Sequence, residues 1–431
     1  MVGEVTDILL NLLVDTGDDL GKVLPYPIKE YKNLKAIDKI PIGNTSPDLD
    51  GEDIIIDMST ACRIAFVAST RGGKSYFMTE IASHCYQSGY MLAITNDNKN
   101  EWSFARNRTP PKFRRKTHPN FDIVPMPIVP LMPTFLWDIK KFDREDFIPI
   151  QFDLSQINQK DLVTIMGFNN IFAKDQFVNA LRLIWAKYNS IGLSKITFEK
   201  FYSDIENKEK FDNLTGKMYG NSTRRSLLSR LIPLKMANVF GSKNKIDLKE
   251  LMLENKVPSL CIEGSDKVDI GLIYTYLAIL QRNLRIHKIE NPILRKRRLI
   301  LINDETSFIA PENGFPSSKF EALENNQRGA YYGIYQFFGI QDTSTVDPTI
   351  ISQCKYIFIS AFTSGTDVRR VCKIMNLPEK TREYIQENIH MLKPRGDGQR
   401  GWFMIEKGMD GFPIIVYPYA PSCGFSSKTF K

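Results

Sequence analysis

The chain has 431 residues, of which 42% are hydrophobic, 11% aromatic and 25% charged. This composition is that of a globular protein with a sizeable core, and it excludes a disordered or fibrous chain. Lysine and arginine outnumber aspartate and glutamate by 57 to 49, and the resulting net charge of +8 permits a polyanionic partner without requiring one.

Residues 1–50 form a leader rich in turn-forming residues. Its apolar stretch, 8–14, is flanked by acids rather than by the basic residues of a secretory signal, so we expect a short amphipathic helix that contacts the body or a neighbouring subunit. No segment reaches the roughly 18 consecutive apolar residues of a membrane span. The 6 cysteines are scattered without a Cys-x-x-Cys pair, which argues against a zinc site or a disulfide framework. These features favour a cytoplasmic protein.

After the leader, short apolar segments alternate with segments of helical periodicity. Strands are predicted at 63–68, 90–95, 258–264, 298–303, 333–340 and 356–362. Helices are predicted at 74–88, 176–188, 223–240, 270–288, 317–328 and 348–354. Such alternation predicts an α/β fold with a mostly parallel sheet that is covered by helices on both faces.

The predicted core consists of residues 51–102 and 251–431. Between its second and third strands lies region 103–250, which we interpret as an insertion, mainly helical and irregular. Its first part, 103–165, is basic and rich in prolines that exclude long helices, and helical periodicity returns only after it.

The loop after the first predicted strand reads A-S-T-R-G-G-K-S from Ala68 to Ser75. It matches the end of the phosphate-binding pattern G-x-x-x-x-G-K-S/T, with alanine in place of the first glycine. In such a loop the backbone N–H groups surround phosphates at the start of a helix, the lysine reaches the β- and γ-phosphates, and the serine binds magnesium. The alternative is a strand–turn–helix that contains Gly-Lys-Ser by chance. The predicted nucleotide-binding residues are Ser69, Thr70, Arg71, Gly72, Gly73, Lys74, Ser75 and Tyr76.

Two further polar sites follow predicted strands. Asp304 and Glu305 directly follow the strand predicted at 298–303. At this position P-loop NTPases have a carboxylate that holds magnesium, and a second carboxylate beside it can polarise the attacking water. Gln341 follows the strand at 333–340, which should lie beside it, and a glutamine there can donate to a γ-phosphate and accept from a water. Taken alone, the acidic pair would be an ordinary exposed pair and the glutamine would carry no meaning.

The order of these motifs resembles the HerA/FtsK superfamily, hexameric RecA-like ATPases that pump DNA and that include conjugative coupling proteins and viral packaging motors. The spacing of Asp97, Lys99 and Glu101 is similar to the D-x-K-x-E that follows the second strand in this family. "TRGGKS" resembles the loop of the coupling-protein branch, and "VDPTIISQC" and "DVRRV" resemble the segments after the sensor glutamine. The resemblance covers about residues 51–102 and 223–405.

The resemblance implies a RecA-like fold, ATP and Mg²⁺ as cofactors, a hexameric ring and double-stranded DNA as partner. It also implies an arginine that acts on the neighbouring subunit's nucleotide. The usual place of that arginine is held by Ala330, so Arg328, two residues earlier, is the first candidate. Arg369 and Arg370 are the alternatives, and they could equally belong to a solvated helix face.

A basic cluster at 110–116 is a candidate DNA contact, because a motor that moves along a duplex binds phosphates rather than bases. Its cations surround Phe113 and are Lys112, Arg114, Arg115 and Lys116. A surface loop without a DNA role is the other interpretation.

The sequence therefore favours an ATP-driven translocase of double-stranded DNA, with a viral, plasmid or nuclease protein as a further partner. It leaves open genome packaging, conjugation and segregation, and a role in genome packaging would associate the protein with virion assembly. A protein secretion or assembly motor is an alternative. A nucleotide-binding structural subunit without turnover is another, which Ala68 favours and which Glu305 and Gln341 oppose.

Overall fold

The computed structural model describes residues 38–46, 48–59, 62–70, 72–137, 147–168, 170–172, 174–192, 196–241, 246–263, 268–360, 363–389, 392, 401–408 and 413–425. The predicted leader helix and Arg71 of the loop lie outside these residues.

The strands of the described residues are β1 (Lys39–Asn44), β2 (Asp53–Asp57), β3 (Arg63–Val67), β4 (Met91–Asp97), β5 (Ile128–Pro133), β6 (Ile148–Ile150), β7 (Val257–Cys261), β8 (Leu299–Asn303), β9 (Ile334–Ile340), β10 (Tyr356–Ser360), β11 (Trp402–Glu406) and β12 (Ile414–Val416). β1 and β2 form an antiparallel hairpin. The others form one 10-stranded sheet in the order β12-β11-β10-β3-β9-β8-β4-β7-β5-β6. Its pairs from β10 to β6 are parallel, and β11 and β12 add an antiparallel edge.

The helices are α1 (Lys74–Gln87), α2 (Thr134–Trp137), α3 (Gln159–Ile165), α4 (Gln176–Ile191), α5 (Phe198–Glu206), α6 (Lys208–Thr215), α7 (Asn221–Met236), α8 (Leu248–Leu253), α9 (Ile270–Glu290), α10 (Pro292–Lys296), α11 (Ser317–Arg328), α12 (Pro348–Ser352), α13 (Gly365–Ile374) and α14 (Glu379–Asn388). Short 3₁₀ helices connect several of them. None of the helices in the described ranges is both long and apolar enough to cross a bilayer.

The central strands are buried on both faces, which explains why they read as apolar runs rather than as alternating patterns. Side chains of β8 divide between two cores. Ile300 and Ile302 pack with α1 on one face, and Leu299 and Leu301 pack with α9 on the other. The predicted α/β fold with a mostly parallel, doubly covered sheet is confirmed. β8 also pairs with β9, as predicted.

Region 103–250 is not only helical and irregular, as the sequence predicts. It also contributes two strands, β5 and β6, to the central sheet. Its helices include α4 and α7, at two of the predicted positions. The prolines of β5 exclude a helix, but their fixed φ is compatible with an extended strand near a sheet edge. Prolines exclude helices but do not by themselves indicate strands, so β5 and β6 are not predicted from the sequence.

Candidate nucleotide-binding site

Four neighbouring parallel strands bring the predicted polar residues to one edge of the sheet. β3, β9, β8 and β4 are adjacent in that order, so their carboxyl ends lie side by side. The phosphate loop follows β3, Gln341 follows β9, Asp304 follows β8, and Asp97 ends β4. This edge is where ligands bind in open α/β sheets.

Two glycines shape the loop for different reasons. Gly73 precedes α1 with φ of 82°, in the left-handed region that favours glycine. Gly72 is required for space, since a Cβ there would lie 2.8 Å from the Cβ of Ala68 and 2.9 Å from the carbonyl oxygen of Ser69. The end of β10 fixes the loop from one side, because the Ser360 hydroxyl donates to the Gly72 carbonyl at 3.0 Å.

Ala68, where the usual pattern has glycine, is compatible with this loop. It is buried, and its N–H donates to the Ile340 carbonyl at 3.0 Å. It is not among the described residues with a positive φ. The backbone at this position therefore does not need glycine, and the alanine is not a defect of the loop.

Lys74, Ser75, Asp304 and Glu305 meet at the start of α1. The Lys74 ammonium donates to the Asp304 carbonyl at 2.5 Å and lies 3.8 Å from a carboxylate oxygen of both Asp304 and Glu305. The Ser75 hydroxyl lies 3.5 Å from Asp304 Oδ1. A hydroxyl and a carboxylate oxygen side by side are the ligands that magnesium takes from P-loop proteins, so the residues present fit this ion.

The environment of Glu305 raises the pKa of its carboxyl. Burial raises the pKa of this carboxyl and the neighbouring Asp304 adds to the increase, whereas Lys74 and a hydrogen bond from the Ser307 hydroxyl, at 3.0 Å, oppose it. A carboxylate with a raised pKa is a stronger base, which suits a group that takes a proton from water.

Asp97 is buried at the end of β4 and accepts hydrogen bonds from the backbone N–H groups of Glu101 at 2.9 Å and Trp102 at 3.2 Å. Burial and the charge of Asp304 raise its pKa. The first residue of the D-x-K-x-E motif thus holds the turn after β4 beside the acidic pair.

Gly339 in β9 was missed by the sequence analysis. A Cβ there would lie 2.2 Å from the Asp304 carbonyl oxygen and 3.0 Å from Cδ of Lys74. Only glycine leaves room for the lysine to cross β9 and reach the acidic pair. A glycine inside an apolar strand marks such a close approach, so the signal was present in the sequence.

Gln341 and Thr70 link the third site to the phosphate loop. The Thr70 hydroxyl lies 3.4 Å from Oε1 of Gln341. Residue Gln341 is half-buried. The structure therefore brings together the loop, the acidic pair and the glutamine, as the sequence analysis expected.

Of the three candidate arginines, Arg369 and Arg370 lie on α13, which follows the carboxyl end of β10, whereas Arg328 lies away from this edge. Arg328 ends α11 just before β9 begins, at the opposite edge of the sheet, and its side chain is 71% exposed and 3.4 Å from Glu324. Arg370 forms an ion pair of 2.8 Å with Glu312, and Arg369 donates to the Gly365 carbonyl at 3.2 Å. Arg328 and Arg369 are thus exposed, whereas Arg370 is half-buried.

The basic cluster is folded as a 3₁₀ helix, Pro111–Lys116. Phe113 is buried with its ring centroid 5.1 Å from that of Phe425, in a cluster that includes Tyr76, so it is not free to stack on bases. Arg114 and Arg115 are exposed and Lys116 is half-buried, whereas the side chain of Lys112 lies outside the described part.

The chain was compared with known protein families, curated proteins and solved structures. No protein-family model and no curated protein matches the chain. The sheet order and the loop after β3 define a RecA-like P-loop NTPase fold. Solved structures with this fold include the bacterial conjugative coupling protein TrwB in a trigonal form with sulphate, with 12% identity and a TM-score of 0.53 over 84% of this chain and 88% of that chain.

TrwB with the ATP analogue ADPNP has 11% identity and a TM-score of 0.50 over 85% of this chain and 88% of that chain. VirB4 of Thermoanaerobacter pseudethanolicus has 11% identity and a TM-score of 0.54 over 91% of this chain and 98% of that chain. At these identities the similarity is one of fold, and at that level the predicted resemblance to HerA/FtsK-type P-loop ATPases is confirmed.

Proposed function

We propose that this chain is an ATP-hydrolysing ring motor that moves double-stranded DNA. The observation that carries the proposal is the convergence of Lys74, Ser75, Asp304 and Glu305 at one edge of the sheet, with Lys74 3.8 Å from both carboxylates. The fold shared with TrwB, a conjugative coupling protein seen with an ATP analogue, supports it.

Each residue has a distinct role in the proposed reaction. Lys74 and the backbone N–H groups from Ser69 to Tyr76 bind the phosphates, and Ser75 and Asp304 hold the magnesium ion, which neutralises phosphate charge when bound. Glu305 accepts a proton from the attacking water, and Gln341 orients that water and the γ-phosphate. The Lys74 ammonium donates to the Asp304 carbonyl at 2.5 Å and so already lies at the site. A bound phosphate would compete with that carbonyl for the ammonium.

The motor acts as a homo-oligomer, in our proposal a hexamer. Arg328 reaches the nucleotide of the neighbouring subunit, with Arg369 and Arg370 as alternatives. The cations of the 3₁₀ helix Pro111–Lys116 contact DNA phosphates, and a viral, plasmid or nuclease protein is a further partner.

The proposal is tested by the ATPase rate of wild type, Lys74→Ala and Glu305→Gln, with and without duplex DNA, together with a native mass measurement. We expect DNA-stimulated turnover by an oligomer. Lys74→Ala should lose nucleotide binding, and Glu305→Gln should bind ATP but turn over at least about 100-fold more slowly. An unstimulated monomer whose rate is unchanged in Lys74→Ala would contradict the proposal.

The DNA contact has its own test, the variant Arg114→Gln/Arg115→Gln/Lys116→Gln. If these cations bind phosphates, the variant should need more DNA for stimulation, and the slope of log affinity against log salt should fall by about 1 for each lost contact. The control changes three exposed lysines at distant sites, Lys249, Lys296 and Lys380, to glutamine. An equal effect of both variants would show that only net charge matters.

Two other functions remain as alternatives, and the same assays separate them. A protein secretion or assembly motor would hydrolyse ATP without stimulation by DNA. A nucleotide-binding structural subunit would bind ATP with similar affinity in wild type and Glu305→Gln, and neither would turn over.

A further inference from the structure

The pairing of β4 with β8 is irregular just before the acidic pair. Ile94 pairs with Ile302 and Asn96 pairs with Asn303, so β4 has one residue more than β8 in this stretch. The extra residue is Thr95, whose hydroxyl lies 2.5 Å from Oδ1 of Asn303 and 3.2 Å from the Ile302 carbonyl. A β-bulge of this kind changes the direction of the side chain that follows it.

The side chain that follows is Asn96, which is buried at the carboxyl edge. Its Nδ2 donates to the Glu305 carbonyl at 2.6 Å, and its Oδ1 accepts from the Glu305 N–H at 3.4 Å. One amide side chain therefore holds both backbone groups of Glu305. A carboxylate could accept from the N–H, but it could not donate to the carbonyl.

The backbone of Glu305 decides where its carboxylate points. Glu305 is the last residue before the 3₁₀ helix Thr306–Phe308, with φ of −125° and ψ of 94°. Its side chain accepts from the hydroxyl of Ser307, which belongs to the same short segment. A rotation of this peptide would move both the carboxylate and its partner, so the side chain's own contacts within the segment do not fix its position relative to Lys74.

We infer that Asn96, directed by the bulge at Thr95, is a positioning residue that holds Glu305 in the orientation needed for turnover. The inference rests on the proposed function, since it concerns the group assigned as the base. It adds a residue outside the phosphate loop and the acidic pair, supplied by the neighbouring strand.

The test compares wild type with Asn96→Leu and Asn96→Asp. A displacement of the base by about 1 Å can lower kcat by about 100-fold, and we expect a loss of that order in both variants. The dissociation constant of a fluorescent ATP analogue should change by less than about threefold, because it depends mainly on the phosphate loop. This separation of kcat from binding is not expected of a general loss of structure.

The bulge is tested by Thr95→Val, which removes the hydroxyl but keeps the shape, and by Thr95→Ser, which keeps the hydroxyl. Thr95→Val should lose turnover in the same way as Asn96→Leu, and Thr95→Ser should retain it. These variants also keep the inference testable if Asn96→Leu does not fold.

Hydrogen exchange at the Glu305 amide provides a readout that does not depend on turnover. In Asn96→Leu this amide loses its acceptor and should exchange at least about tenfold faster, with the phosphate loop unchanged. The matched control is Gln336→Leu, a buried amide of β9 that donates to Asn326 at 2.6 Å and does not touch the acidic pair. It should affect stability but not kcat.

The outcomes are distinguishable. If wild type shows no Lys74-dependent turnover but the Glu305 amide is protected by Asn96, the proposed function fails and the contact stands as structural only, which overturns the positioning role. If wild type turns over and Asn96→Leu does so at the same rate, the inference fails and the proposed function survives.

Discussion

At the scale of single residues, Ala68 and Gly72 are coupled. The Cβ that Gly72 lacks would lie 2.8 Å from the Cβ of Ala68, so an alanine at one position requires a glycine at the other. We expect Gly72→Ala to weaken nucleotide binding by about tenfold or more, since overpacking of this kind costs about 1–3 kcal/mol. Ala68→Gly alone should be nearly neutral.

The double variant Ala68→Gly/Gly72→Ala should recover part of the lost affinity. Recovery cannot be complete, because the Ser69 carbonyl oxygen would still lie 2.9 Å from the new Cβ. Titration with a fluorescent nucleotide measures all three variants as a double-mutant cycle. Gly365→Ala is the control, because in the described part of the chain no atom beyond its own helix and its chain neighbours lies within 4 Å of the Cβ it would add. Strictly additive effects would disprove the coupling.

His84 predicts a pH dependence of stability. It is buried in α1, its Nδ1–H donates to the Pro41 carbonyl at 2.9 Å, and its ring stacks on that of Phe121. Burial lowers its pKa to about 3, a shift that the Pro41 carbonyl opposes and His118 reinforces. Glu80 Oε1 also faces the ring, at 4.0 Å.

The direction of this pH dependence follows from the different pKa of His84 in the folded and the unfolded chain. Below a pH of about 6.5 the unfolded chain binds a proton at His84 that the folded chain does not, so the free energy of unfolding falls by up to about 1.4 kcal/mol per pH unit as the pH drops toward 3. His84→Phe keeps a ring against Phe121 and removes this proton. Urea unfolding at several pH values between 7.5 and 4 should therefore show a smaller slope for the variant, and identical slopes would contradict the prediction.

At the scale of elements, a buried ionic network joins α3, α9 and α11. Arg282 of α9 contacts Asp161 of α3 at 2.5 Å and Glu321 of α11 at 3.2 Å, and Arg285 contacts Glu321 at 2.5 Å. α3 belongs to the region between the predicted second and third strands, whereas α11 ends in Arg328. The network therefore fixes the helix that carries Arg328 against an element contributed by that region.

Asp161→Ala should be strongly destabilising, because it leaves the nearly buried Arg282 with one carboxylate fewer. Breaking a buried ion pair in this way costs about 3–5 kcal/mol, and we expect the lower end since Glu321 remains. The double variant Asp161→Leu/Arg282→Met should regain part of the loss. The control is Glu254→Ala, which breaks an exposed pair with Lys256 and should cost less than about 1 kcal/mol. Equal shifts of the urea midpoint for Asp161→Ala and Glu254→Ala would argue against the network.

At the scale of the whole molecule, the nucleotide site and Arg328 lie at opposite edges of one sheet. A subunit cannot bring its own Arg328 to its own site, so the arginine can act only across an interface between copies. Head-to-tail contacts of this kind close into rings when the rotation permits. The proposed ring is thus compatible with the distribution of the site residues along the sheet.

Mixing two inactive variants tests this arrangement. Lys74→Ala retains Arg328 and Arg328→Ala retains Lys74, so a mixed assembly contains interfaces in which an intact arginine faces an intact site. We expect the mixture to recover ATPase activity well above that of either variant alone, measured at equal total protein. Repeating the mixture with Arg369→Ala and Arg370→Ala identifies which arginine acts. If no mixture recovers activity, the arginine does not act between subunits.

The amino-acid sequence is sufficient to predict β3, β4, β7, β8, β9 and β10 in their order, and the positions of the loop and the acidic pair after two of them. Apolar runs indicate strands that are buried on both faces. The Gly-Lys-Ser motif and the acidic pair can be recognised from residue type and spacing alone. Strand order was partly predictable as well, since β8 and β9 were expected to be neighbours and are.

Features that depend on distances between remote residues follow only from the three-dimensional structure. The requirement for glycine at 339 comes from the Asp304 carbonyl and Lys74, and the role inferred for Asn96 comes from a bulge in the pairing of β4 with β8. Whether Ala68 damaged the loop depended on its backbone angle. β5 belongs to the sheet because it pairs with β7, and β6 because it pairs with β5. Each of these is set by non-local contacts and backbone geometry. A glycine inside an apolar run indicates a close approach, but local composition and periodicity do not identify the residues that approach it.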